Sequence, residues 1–179
     1  MERRLANIII SGAGGTASEG SKTYKIALPS NWVREMGVSG KSTELELSFD
    51  GSTISVSKRL TLAAFAERKK QLGHELTMLY YYDGDRLCTT ICADYSDKSL
   101  CIEDAVSDVI RTAFGNNRLP QWEDYLQFLE ERCIPRGRDG LRWYLDAIGV
   151  DAYEPLEIIR KTQGRMAGDD QWLKVEVLK

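Results

Sequence analysis

Asp50-Gly51 lies between two runs, 43–49 and 52–58, in which apolar and polar residues alternate. Alternation with period two is strand patterning, and Asp-Gly readily takes the positive φ of a two-residue turn, so this stretch predicts a β-hairpin. A second pair of runs, 76–82 and 86–94, flanks Asp83-Gly84-Asp85 in the same way. Upstream, an apolar run at 5–10 enters a loop rich in Gly, Ser and Thr over 11–22. A short strand at 23–28 then stops at Pro29. Ser30 is placed to cap one helical turn over 31–36, which Gly37 ends.

The glycine loop invites comparison with a phosphate cradle, because Gly12, Gly14, Gly15 and Ala17 approximate a dinucleotide fingerprint. Gly20-Ser21-Lys22-Thr23 approximates a P-loop one residue out of register. Both motifs work only where a helix begins at the glycines and aims its N–H groups at the phosphate. Here a strand of about six residues comes next, then a proline, which leaves no room for that helix. The loop reads instead as a turn between two strands.

Beyond Arg59 the pattern changes. Thr61 is a predicted N-cap for a helix running to Leu72, with Gly73 as its stop. After Asp94 the spacing turns helical: Ile102, Val106, Val109, Ile110 and Ala113 recur at helical intervals. Trp122, Tyr125, Leu126 and Leu129 mark a helix over 121–132, and Leu141, Leu145 and Ile148 another over 138–148. Pro155 opens a further helix, Gly164 closes it, and 173–177 reads as a last strand.

The 179 residues carry a net charge of −3, unevenly spread. Residues 1–60 hold 8 basic and 6 acidic side chains, and the remainder 16 and 21. Segment 83–108 concentrates seven acids, with only Arg86 and Lys98 as bases, whereas Arg132, Arg136, Arg138 and Arg142 crowd the next part. This asymmetry suggests a mildly basic head and a body with a different task. No apolar run approaches the ~20 residues that span a bilayer, and residues 1–5 lead into no cleavable apolar region, so a cytoplasmic location is expected. Cys88, Cys92, Cys101 and Cys133 are too sparse for a disulfide framework and are expected as thiols.

Taken in order, the strand ending Leu28-Pro29, the single turn ending Met36-Gly37-Val38 and the hairpin through Asp50-Gly51 resemble one known arrangement. It is the swapped-hairpin N-terminal domain of the AbrB/MazE/SpoVT family of bacterial transcription regulators and antitoxins, matched over residues 7–59. The resemblance implies a homodimer in which two hairpins interlock into one small β-barrel that binds double-stranded DNA. By position, Lys22, Lys25 and Arg34 would contact DNA, with Ser21 and Asn31 as neutral hydrogen-bonding partners. Ala27 stands where DNA-binding members often carry Arg, and loop 11–20 exceeds the usual tight turn, so a head that only dimerises stays open. Residues 124–173 are similar, more weakly, to segments of mobile-element proteins and to those preceding HipA-like kinase toxins. The features carrying this are Arg132-Cys133-Ile134-Pro135-Arg136-Gly137-Arg138, the helix at 141–149 and Asp170-Gln171-Trp172-Leu173.

The expected fold is therefore α+β: a swapped-hairpin barrel domain at 1–59, then a mixed α/β body at 60–179 with a β-hairpin and several helices. No catalytic constellation stands out. His74 is the only histidine, and the cysteine spacings match no zinc or redox motif. Cys88 and Cys92, four apart, are expected on one face of a strand. Asp83, Asp85, Asp94 and Asp97 lie near turns but lack the spacing of a calcium loop. No enzyme activity, cofactor or metal is expected. Tyr81, Asp83, Asp85, Arg136 and Arg138 are the candidate partner-binding residues. Two functions are in view: a DNA-binding regulator or antitoxin of a mobile element, whose body meets a protein partner such as a toxin, or an anti-CRISPR-type inhibitor of a nuclease such as Cas9. The second would use the acids of 83–108 to imitate a phosphate backbone, or the head to hold DNA beside the nuclease; it gains if those acids form one exposed row and loses if they scatter.

Overall fold

The computed structural model describes residues 2–12, 18, 20–38 and 44–178. It divides at Arg59/Leu60 into a head and a body.

In the head, β1 (Ile8–Gly12) pairs antiparallel with β2 (Lys22–Ile26), α1 (Ser30–Glu35) comes after Pro29, and β3 (Leu45–Phe49) pairs antiparallel with β4 (Ile54–Lys58). The turn between β3 and β4 is fixed by Asp50, whose Oδ1 accepts the N–H groups of Ser52 at 2.9 Å and Thr53 at 2.8 Å. Gly51 supplies the positive φ of +97° that this turn demands. Much of the glycine loop, at 13–17 and 19, and the predicted strand start at Thr43 lie outside the described residues. The loop leads into strand β2 rather than a helix, as the rejection of a phosphate cradle requires.

Register sorts the head's side chains. Ile8 faces Ile26 and Ile10 faces Tyr24, so these four share one surface of the first hairpin. Leu45, Leu47 with Val56, and Phe49 with Ile54 share one surface of the second. Among the described residues both surfaces are largely uncovered: Tyr24 is 63%, Leu47 66%, Phe49 69% and Ile54 62% exposed, while Leu45 and Val56 are half-buried. Helix α1 buries no residue. The two sheets are two-stranded and open, and no barrel closes among the described residues of the single chain.

The body is built on an antiparallel sheet in the order β7–β6–β5–β8. Its members are β5 (Leu76–Asp83), β6 (Arg86–Asp94), β7 (Ser99–Asp104) and β8 (Gln171–Leu178). Helices α3 (Trp122–Glu131), α4 (Leu141–Ile148) and α5 (Pro155–Thr162) enclose the larger core on one face. Leu79, Tyr81, Ile91, Ile102 and Leu173 of the sheet meet Tyr125, Phe128, Leu129, Leu145, Ile158 and Ile159 there. On the other face α2 (Leu62–Gln71) packs Phe65 over Leu76, Met78 and Cys92. Thr61 caps α2, its Oγ1 accepting the Ala64 N–H at 3.3 Å.

Two expectations are corrected. The helical spacing from Ile102 to Ala113 forms no helix. Lys98, at a φ of +56°, turns the chain so that 99–104 pairs with β6 as strand β7, and beyond it lies only a 3-10 turn, Val109–Arg111, capped by Asp108. Pairing with a neighbouring strand outweighs a coincidental period. Cys88 and Cys92 also lie on opposite faces. A register shift at Tyr81/Tyr82 inserts an extra residue into β6, which sends Cys88 to the larger core and leaves Cys92 under α2.

One buried polar cluster ties the body together. The guanidinium of Arg132, 7% exposed, donates to Gly164 O from Nε and Nη2 at 3.0 and 2.7 Å, to both Asp169 carboxylate oxygens at 2.7 and 3.0 Å, and to Gln171 O at 2.9 Å. Gly164 holds a φ of +59°, and a Cβ there would lie 3.1 Å from Leu173 Cδ1 and 3.3 Å from Arg132 Cβ. Gly164→Ala is therefore expected to destabilise the body by about 1–3 kcal/mol, read as a lower denaturation midpoint at unchanged slope.

Candidate nucleic-acid interface

Strand β2 sends alternate side chains to opposite surfaces, and this separates the predicted DNA contacts. Lys25 faces Ile9 and shares its surface with Ser11 and Thr23. Lys22 faces Gly12 and belongs to the apolar surface of Ile8, Ile10, Tyr24 and Ile26, at the end next to the loop. The two lysines are thus not on one face. Ser21 is half-buried and shares a 2.9 Å hydrogen bond with Ser18 through their hydroxyls. Asn31, half-buried, and Arg34, exposed, lie three apart on α1, where side chains at this spacing are neighbours. Among the described residues, Lys22, Lys25 and Arg34 are exposed and no ion pair holds them.

The partner-binding residues expected in the body fare differently. Tyr81 is a core residue, 4% exposed, edge-on to Phe128, and burial pushes its hydroxyl up to about 12. It is corrected from the candidate surface. The rings left accessible are those of Tyr80 and Tyr82. Tyr82 stacks on Trp172 with centroids 4.4 Å apart, and Trp172 donates Nε1–H to Gly84 O at 2.7 Å. That clamp fixes the β5–β6 turn to β8. Asp83 pairs with Arg111 at 2.5 Å, while Asp85 is exposed in the turn. Arg136 pairs with Glu130 at 2.7 Å and lies over the Tyr153 ring, and Arg138 is exposed. Sequence reasoning missed Trp143, which α4 holds 83% exposed, because its neighbours Tyr144 and Leu145 carry the apolar side of that helix.

The acids of 83–108 form no single row. Glu103 and Asp104, adjacent on β7, point to opposite faces, and Asp104 accepts from Thr89 Oγ1 at 2.7 Å. Asp108 caps the 3-10 turn. Asp94, with a fully buried side chain, accepts from His74 Nδ1 at 2.6 Å and pairs with Lys69 at 3.3 Å. Burial acts to raise the Asp94 pKa, but the hydrogen bonds from His74, Ser96 and Lys69 outweigh it and hold it below the usual carboxylate value. Asp97 binds Lys69 too, and that bond, with one from Ser99, lowers its pKa to about 2. Donor atoms of His74, Asp94 and Asp97 lie within 4.8 Å of one another, a spacing that suits a metal ion. The Lys69 ammonium already sits among them and supplies the positive charge.

The chain matches no protein-family model, no curated protein and no solved structure. The surfaces of the head and the body are what bear on function.

Proposed function

We propose that the chain is a dimeric DNA-binding regulator or antitoxin of a bacterial mobile element, with a body that recognises a protein partner. The observation carrying this is the pair of largely uncovered apolar surfaces in the head. Nine residues (Ile8, Ile10, Tyr24, Ile26, Leu45, Leu47, Phe49, Ile54 and Val56) are sorted by register onto these surfaces; seven are exposed and, among the described residues, none reaches a core. A soluble chain rarely leaves so much ordered apolar surface uncovered. A second head that interlocks its hairpins with the first, closing a swapped-hairpin barrel as the AbrB/MazE/SpoVT resemblance implies, would bury both surfaces. Lys25, on the opposite face of its hairpin, would remain in solvent, and it and Arg34 of α1 would be repeated across the two-fold axis.

The inhibitor reading loses its phosphate-mimic form, since the carboxylates of 83–108 are dispersed over both sheet faces and partly paired within the body. Net acidity is no obstacle to DNA binding, because the local field at the contact face decides. No helix among the described residues is long and apolar enough to cross a membrane.

The test is the double variant Lys25→Ala/Arg34→Ala. If these side chains meet phosphates in both protomers, log affinity against log salt should flatten by roughly 3 to 4 units per dimer, while the melting temperature stays unchanged. An unaltered slope would reject the contact assignment.

A further inference from the structure

Cys92 and Cys101 stand directly opposite each other on β6 and β7, on the sheet face under α2. The hydrogen-bond phase of this ladder is set by Ala105, which donates its N–H to Cys88 O at 2.8 Å one step beyond the strand. Paired positions alternate along an antiparallel ladder, so Cys92–Cys101, four steps along, is a hydrogen-bonded pair whose Cα atoms are about 5.5 Å apart. That lies inside the Cα range a disulfide spans, about 4.4–6.8 Å, but such a pair sets its Cβ atoms about 5.5 Å apart, beyond the roughly 3.5–4.5 Å of a relaxed disulfide, so closing the bond must draw the two strands together. Cys88 and Cys133 belong to the other core and face neither of them. All four cysteines are thiols in the structure.

We infer that Cys92 and Cys101 form a reversible cross-strand disulfide, closed by exchange with a low-molecular-weight disulfide of the glutathione class. Cys101 is the partly exposed member and Cys92 the buried one, so attack begins at Cys101. Its thiolate attacks one sulfur of oxidised glutathione, the S–S bond breaks, and a glutathione thiolate leaves. The Cys92 sulfur then attacks the Cys101 sulfur of the mixed disulfide, the protein S–S bond forms, and a second glutathione thiolate leaves. Two protein thiols are oxidised, one disulfide is reduced to two thiols, and the two protons lost by the protein are taken up by the leaving thiolates. Burial pushes the Cys92 thiol up to about 12, which makes the second step the slow one and speeds it as pH rises. The wide pair geometry makes the bond strained and readily reduced, as in regulatory disulfides. Closing it also removes the thiol hydrogen that Cys101 Sγ donates to Leu60 O at 3.6 Å, in the residue that opens the body just ahead of α2.

The experiment incubates the reduced full-length protein in glutathione buffers of graded redox ratio, quenches with acid, alkylates after denaturation and maps the peptides. The expected result is a joint loss of two of the four thiols, with a Cys92–Cys101 linkage, a transient glutathione adduct on Cys101, and recovery of both thiols in excess reduced glutathione. Cys101→Ser should show neither adduct nor linkage, and Cys92→Ser should hold the adduct without resolving it. Four thiols that stay reactive in the most oxidising buffer, a lasting adduct on the unsubstituted protein, or a linkage through Cys88 or Cys133 would each overturn the inference.

Discussion

If the proposed dimer forms through the head, Leu47→Asp is expected to weaken self-association at least about 30-fold, or about 2 kcal/mol, and to abolish DNA binding at concentrations that hold the unsubstituted protein as a dimer. Leu47 is 66% exposed in the single chain and sits mid-strand among Leu45, Phe49, Ile54 and Val56. Burying one such side chain is worth about 1.5–3 kcal/mol, and a carboxylate in its place adds a desolvation cost. Ser48→Asp is the matched control, because Ser48 and Ser55 occupy the polar face of the same hairpin and should tolerate the charge. The readouts are molar mass by light scattering over a dilution series and a DNA titration. Equal loss of dimer in both variants would mean that the apolar face is not the joint.

Register is what makes this prediction sharp, and register is legible in the sequence where the turn chemistry is local. Asp50-Gly51 announces its hairpin because the Asp carboxylate and the glycine's positive φ act within four residues. The β5–β6 hairpin is legible through its glycine alone, since Gly84 supplies a positive φ of +57° between the paired Asp83 and Arg86. Features that depend on distant partners are not. The extra residue opposite Tyr81/Tyr82 leaves no mark in composition, so simple alternation places Cys88 and Cys92 on one face when they lie on two. Strand β7 is a strand because β6 lies beside it, and its apolar spacing is equally compatible with a helix. The candidate site divides along the same line. The exposure of Lys25 and Arg34 follows from local pattern, whereas the burial of Tyr81 depends on Phe128, far along the chain.

Arg132 is the clearest such case. In sequence it is one of four crowded arginines, yet its partners lie 32 to 39 residues further on. Arg132→Ala should cost the body about 3–5 kcal/mol, the range for breaking a buried ion pair, and lower its melting temperature by roughly 10 °C or more. Lys should not rescue it, because an ammonium cannot hold Gly164 O, Asp169 and Gln171 O through one planar fork. There is a signature in pH as well. The Arg132 hydrogen bond holds the Asp169 carboxyl below its usual 3.8, against the opposing effect of burial. A depressed folded pKa adds stability that is complete above the unfolded value and is lost as pH falls through the folded one. The gap between the unsubstituted protein and Arg132→Ala should therefore be full at neutral pH and shrink on acidification below about pH 4. A gap that does not change with pH would mean that the side chain acts by packing alone.

The measurement that bears most directly on the proposed function is a titration of the full-length protein against its own upstream DNA and a random duplex, at low and physiological salt. The account predicts tighter binding to the upstream sequence that persists at physiological salt, with a stoichiometry of two chains per site. Absence of binding at low salt would contradict it, leaving the head as a dimerisation device alone.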